Sequence, residues 1–166
     1  SAEASGFTIL CVDDEPNILS ALRRLFRPQG YTVRVAGGGA EGLTVIDAER
    51  IDLIISDMRM PGMDGAAFLA EACKRQPDAV RLLLTGYADI SSTIDAINRG
   101  EIYRYIAKPW NDDDLVLIVR DALVMGPWHD IETRSRTHRR TPMDWDAEHI
   151  LLRTVRCVSG SPAAGR

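Results

Sequence analysis

Asp13, Asp14, Asp57, Thr85 and Lys108 are the residues whose types and positions suit chemistry. Each stands where an apolar run stops. Thr8-Ile9-Leu10-Cys11-Val12 gives way to Asp13-Asp14-Glu15, Leu53-Ile54-Ile55-Ser56 to Asp57, Val80–Leu84 to Thr85, and Tyr103–Ala107 to Lys108. Brought to one place, three carboxylates repel, and a bound divalent metal offsets their charge. Hard oxygen donors with open water positions favour Mg²⁺, which keeps waters and bridges to phosphate. With Mg²⁺ and Lys108 neutralising charge, Asp57 can attack a phosphorus centre and become an aspartyl phosphate. Thr85 can hydrogen-bond one phosphoryl oxygen and Lys108 can pair with another.

Strands and helices in alternation would bring these residues together. Leu53–Ile55 is apolar and mostly β-branched, the composition of a strand buried on both faces, and Met60–Gly65 turns the chain away after Asp57. Pro16 suits the first turn of a helix carrying Ile18, Leu22, Leu25 and Phe26, which Pro28 and Gly30 end. Tyr31–Ala36 alternates apolar and polar residues, as an edge strand does. Gly37-Gly38-Gly39 reads as a flexible turn before a helix with Leu43, Val45 and Ile46 that runs to about Arg50. A third helix is expected from about Gly65 to Arg75, with Phe68, Leu69 and Ala72 inward. A fourth carries Ile90, Ile94 and Ile97. Tyr103–Ala107 mixes charged and aromatic residues, so it reads as the other edge. Asn111–Asp114 caps a fifth helix bearing Leu115, Ile118, Val119 and Ala122, its acids at the positive end of the dipole.

Five strands alternating with five helices give a parallel sheet covered on both faces. Runs one, three and four are the apolar ones, so the expected fold is a flavodoxin-like doubly wound (βα)5 sheet of strand order 2-1-3-4-5. The strand C-termini then share one rim, where such sheets place their chemistry.

The 166 residues are 45% apolar, enough for a core, and the net charge of −4 argues against charge-driven nucleic-acid binding. That charge is uneven: residues 1–125 hold 13 basic and 19 acidic side chains, residues 126–166 hold 7 basic, all arginine, and 5 acidic. The three cysteines, Cys11, Cys73 and Cys157, form no CxxC pair, and the odd count fits a reducing cytosol. No run approaches the ~20 apolar residues of a membrane span, and no signal peptide is visible.

Val12-Asp13-Asp14-Glu15-Pro16, Ser56–Gly65, Leu84-Thr85-Gly86 and Lys108-Pro109 resemble the signature of the receiver domain of bacterial two-component response regulators, in order and at its spacing. The resemblance covers residues 7–125. It implies that Asp57 is the phosphoacceptor. Asp14 and Asp57 would hold Mg²⁺ through side chains, Arg59 through its backbone carbonyl, and Asp13 through water. Thr85 and Lys108 would bind the phosphoryl group, and Tyr105 falls at the family's aromatic switch position. The implied partners are a sensor histidine kinase or phosphotransfer protein and an output domain or downstream protein, in the cytoplasm. A homodimer through the face of the fourth and fifth helices is expected by the same resemblance. The strings Leu84–Asp89 and Gly100–Trp110 look like a subgroup often joined to HD-type phosphodiesterases or to DNA-binding outputs. Gly86 departs from the family's usual alanine. Arg59 and Tyr87 take the positions flanking the water that attacks the phosphoaspartate, so slow self-dephosphorylation is expected.

Taken singly, Asp13 and Asp14 read as helix-cap acids, Lys108 as a solvated edge lysine and Tyr105 as an edge aromatic. Together they favour a signalling receiver over a turnover enzyme. A haloacid-dehalogenase-type phosphohydrolase also uses an Asp nucleophile with Mg²⁺, but needs a second Asp two residues on, where Arg59 stands. A phosphate-independent receiver-fold interaction module is the other alternative. Residues 126–166 read as an Arg-rich tail or linker, not an independent domain.

Overall fold

The computed structural model describes residues 6–86 and 102–125. The helix expected around Ile90, Ile94 and Ile97, the Tyr87 position and residues 126–166 lie outside the described residues. Five parallel strands form the sheet: β1 (Thr8–Val12), β2 (Thr32–Ala36), β3 (Leu53–Asp57), β4 (Val80–Thr85) and β5 (Arg104–Ala107). Their order is β2-β1-β3-β4-β5, as the polarity of the runs implied. Central β3 and β4 are buried at every position, whereas edge strands β2 and β5 are not.

Strand alternation splits the core into two layers. Leu10, Val12, Ile54 and Leu83 face one side, with Leu43 and Ile46 of α2 (Gly39–Ala48) and Phe68, Leu69 and Ala72 of α3 (Gly65–Arg75). Ile9, Cys11, Leu53, Ile55, Leu82 and Leu84 face the other, with Leu22 and Phe26 of α1 (Pro16–Phe26) and Leu115, Val119 and Ala122 of α4 (Asp112–Met125). The last of these is the fifth helix expected from the sequence.

Local chemistry sets the ends. Pro16 opens α1, and a short 3-10 turn over Arg27–Gln29 leads to Gly30, whose φ of 88° only glycine adopts readily. Asp64 caps α3 by accepting a hydrogen bond from Ala67 N. Asn111 Oδ1 accepts from Asp114 N at the start of α4. One boundary differs from expectation: Gly39 is the first residue of α2 and is buried, not part of a flexible turn. Its Cα lies against Met63, since a Cβ there would meet Met63 Sδ at 2.9 Å. Helix α2 also ends earlier than expected, at Ala48.

Register aligns the strand ends. Val12 stands beside Ser56, Asp57 beside Leu84, and Thr85 beside Ala107. The residues that follow Val12 and Ala107 therefore emerge on the same rim as Asp57 and Thr85.

Candidate functional site: an acidic rim crossed by one lysine

Asp13, Asp14 and Asp57 each offer an oxygen within 4.8 Å of the others. Asp13 and Asp57 are buried and Asp14 is exposed. The sequence expected all three here, and the structure brings them together.

Lys108 crosses the group. Its Nζ lies 2.9 Å from Asp57 Oδ1 and 3.2 Å from Asp13 Oδ2. The backbone puts it there: Lys108 N donates to Thr85 O at 2.9 Å, extending the β4–β5 pairing by one residue. The sequence expected Lys108 to meet a phosphoryl oxygen; in this structure it pairs with the two carboxylates. Its pKa stands above the ordinary value. Burial works against its charge, but the hydrogen bond to Asp57 and the fields of both carboxylates outweigh burial.

Asp13 shows the opposite strain. Burial pushes its carboxyl above the ordinary carboxylate value, and the charge of Asp57 adds to that. A hydrogen bond from Glu15 N to Asp13 Oδ1, at 2.8 Å, and the Lys108 ammonium offset part of it. One ammonium thus faces three carboxylates, two of them buried. An all-oxygen anionic set of this kind fits a hard divalent cation, and Asp13, Asp14 and Asp57 are the side chains that would hold it.

Asp57 is held from its own backbone as well. Met58 N donates to Asp57 Oδ1 at 2.9 Å. Among the described residues both contacts of the carboxylate fall on Oδ1, which leaves Oδ2 unengaged. Gly62 (φ 81°) and the cap at Asp64 turn the chain so that Gly65 N donates to Met58 O at 2.8 Å. This turn brings Gly65 onto the phosphoacceptor candidate: a Cβ there would lie 2.1 Å from Asp57 O. The sequence marks Gly65 only as a helix start; its closeness to Asp57 depends on the tertiary fold.

Thr85 is buried, and its Oγ1 donates to Gly86 O at 3.1 Å. Tyr105 is half-buried and packs against the core layer of α2 and α3. Arg59 is exposed beside the rim. Lys108-Pro109 is a cis peptide, and beyond it Trp110 Nε1 donates to Asp112 Oδ1 at 2.9 Å. Among the described residues no helix is long and apolar enough to cross a membrane.

The sequence matches the family model of the response regulator receiver domain over residues 9–120. The chain belongs to the response regulator receiver family. This receiver is 37% identical over 136 residues to the transcriptional regulatory protein GlrR of Escherichia coli K12, covering 81% of this chain and 30% of that protein. A stretch of 52 residues is 85% identical to a trehalase of Mycolicibacterium smegmatis, covering 31% of this chain and 8% of that protein. The chain therefore spans less than a third of either curated relative. Among solved structures, the signal receiver domain of an HD domain-containing protein from Pseudomonas fluorescens Pf-5 is 41% identical with a TM-score of 0.68. It covers 71% of this chain and 94% of that one. The response regulator protein TrrA from Thermotoga maritima, solved in complex with Mg²⁺-BeF, is 34% identical with a TM-score of 0.63, covering 69% and 97%.

Proposed function

We propose that this receiver accepts a phosphoryl group on Asp57 and passes the change to a protein–protein surface. The observation that carries the reading is the carboxylate of Asp57 at the end of β3. One of its oxygens is fixed by Lys108 and Met58 N, and among the described residues the other is unengaged. Oδ2 forms the new P–O bond while the donor's bond to phosphorus breaks, and the leaving group keeps that bond's electron pair. Lys108 lies close enough to shift from the carboxylates toward the added phosphoryl oxygens, and Thr85 supplies a hydroxyl on the neighbouring strand.

Asp13, Asp14 and Asp57 would hold Mg²⁺, with the Arg59 carbonyl as a further ligand. When bound, this ion neutralises charge on the transferring phosphoryl oxygens. The Mg²⁺-BeF complex of TrrA supports the choice of metal. Among the described residues one ammonium pairs with this group of three carboxylates, so the ion would also relieve their mutual repulsion.

Thr85 and Tyr105 would couple the added charge to the surface. Tyr105 sits beside Leu83 in the β4–β5 register, two strand positions before Ala107, the residue paired with Thr85. Movement at Thr85 would thus reach β5 directly, a local charge change biasing a two-state element. The donor would be a sensor histidine kinase or phosphotransfer protein. The receiver of an HD domain-containing protein and the transcriptional regulator among its relatives support an output domain or separate target protein. Self-dephosphorylation would be slow, because the family resemblance assigns Arg59 and Tyr87 to the positions that flank the attacking water. The likeness to trehalase spans 8% of that protein and carries no activity into this reading.

The test is intact-protein mass spectrometry after incubation with Mg²⁺ and a small phosphodonor. One phosphoryl adduct is expected on the parent and none on Asp57→Asn. No adduct on the parent, with a phosphorylated kinase also failing as donor, would favour a phosphate-independent interaction module.

A further inference from the structure

Ser56 follows the apolar run Leu53-Ile54-Ile55 in β3. It is wholly buried, between Val12 of β1 and Leu83 of β4, where a small apolar residue would avoid the cost of desolvating a hydroxyl. Its hydroxyl makes one hydrogen bond among the described residues, to Asp57 O at 3.0 Å. That same carbonyl oxygen is the atom against which Gly65 is pressed. The peptide joining Asp57 to Met58 is therefore gripped on its carbonyl side by Ser56 and Gly65. On its amide side, Met58 N donates both to Leu84 O at 3.0 Å and to Asp57 Oδ1 at 2.9 Å.

We propose that Ser56 is a positioning residue for phosphoryl acceptance. Its hydroxyl fixes the Asp57–Met58 peptide plane, so that the Met58 amide holds Oδ1 and keeps Oδ2 turned to the rim. The proposal rests on Asp57 being the phosphoacceptor, and it adds a residue whose hydroxyl meets the Asp57 backbone carbonyl rather than a carboxylate oxygen. The physical logic is preorganisation: a carboxylate with one oxygen tethered explores fewer rotamers before attack.

The experiment compares parent, Ser56→Ala and Ser56→Thr. The phosphorylation rate is followed by intact mass at saturating Mg²⁺ and a small phosphodonor, and the Met58 amide proton is observed by NMR without donor. A proton shared with a carboxylate resonates downfield. Ser56→Ala is expected to accept phosphate roughly fivefold more slowly, the loss of about one hydrogen bond, with the Met58 amide shifted upfield. Ser56→Thr, which keeps the hydroxyl, is expected to recover the parent resonance and most of the rate. A merely structural role would lower the unfolding midpoint of Ser56→Ala while leaving the Met58 amide and the rate in place; that result overturns the proposal. If the parent takes up no phosphoryl group, the phosphoacceptor reading fails, and an unshifted Met58 amide in Ser56→Ala separately rejects the contact argued here.

Discussion

Lys108 Nζ and Asp57 Oδ1 stand 2.9 Å apart, although Asp57 ends β3 and Lys108 follows β5, with β4 between those strands. The lysine is mostly buried and holds Asp13 as well. Removing it leaves two buried carboxylates, and the exposed Asp14 beside them, without their cation. Breaking such an arrangement costs more than the pair itself contributes, because the remaining charges stay desolvated. With the metal chelated, Lys108→Met is expected to lower unfolding free energy by roughly 1–3 kcal/mol in denaturant titrations. Millimolar Mg²⁺ should restore more stability to the variant than it adds to the parent, since the ion takes over the missing neutralisation. An equal Mg²⁺ increment in both proteins would show that Lys108 does not share the charge of the metal site.

Two glycines near Asp57 should respond oppositely to the same substitution. Gly65→Ala puts a methyl group 2.1 Å from Asp57 O, against backbone that cannot swing aside. The start of α3 must move, and with it the peptide that orients Asp57. A loss of roughly 1–3 kcal/mol is expected, together with at least tenfold slower phosphoryl uptake in the mass assay. Gly86→Ala has nothing within 4 Å of the new Cβ among the described residues and no left-handed φ to satisfy. It should instead gain about 0.4–1 kcal/mol by restricting the unfolded chain. Thermal melts of the two variants beside the parent decide both signs.

The rim was legible because each of its residues ends a recognisable run. Asp13, Asp57, Thr85 and Lys108 follow apolar stretches, and strand polarity marked the two edges, which matches the observed order. Distances between segments were not legible. Gly39 reads as part of a flexible triplet, yet Met63, 24 positions later, packs on it and makes it the start of α2. Ser56 has no role of its own in the sequence, and only the fold puts its hydroxyl on the Asp57 carbonyl. Lys108 reads as a phosphate ligand, and only the fold shows which carboxylates hold it beforehand. In each case the deciding neighbour is remote in sequence, and no local spacing encodes it.

Gln76 is a second tertiary tie that composition hides. Its Oε1 accepts from Ile51 N at 2.8 Å, while Nε2 donates to Ile46 O at 2.6 Å and Glu49 O at 2.7 Å. One side chain therefore satisfies carbonyls from the end of α2 and the amide entering β3, groups that a helix terminus leaves without partners. Gln76→Ala is expected to cost roughly 2–3 kcal/mol, about one per hydrogen bond. Gln76→Glu cannot donate through the second oxygen at neutral pH and should lose nearly as much. Denaturant midpoints for the two variants test this; a loss below about 0.5 kcal/mol in both would mean that water replaces Gln76 freely.

Cys11 should make the stability of the receiver fall at alkaline pH. It is wholly buried in β1, and burial pushes its thiol from 9.0 up to about 12. The unfolded chain releases the Cys11 proton near the ordinary value, while the folded chain keeps it. Between pH 9 and about 12 the unfolded state binds fewer protons, so the contribution of Cys11 to stability is full below 9 and declines as pH rises through that window. The difference in denaturant midpoint between parent and Cys11→Ala should therefore shrink from pH 8 to pH 10.5. The thiolate is also the reactive form, so native Cys11 should resist iodoacetamide at pH 8 and label only after denaturation, read by peptide mapping. Rapid labelling of Cys11 in the folded protein, or a midpoint difference that does not change with pH, would contradict this account of its burial.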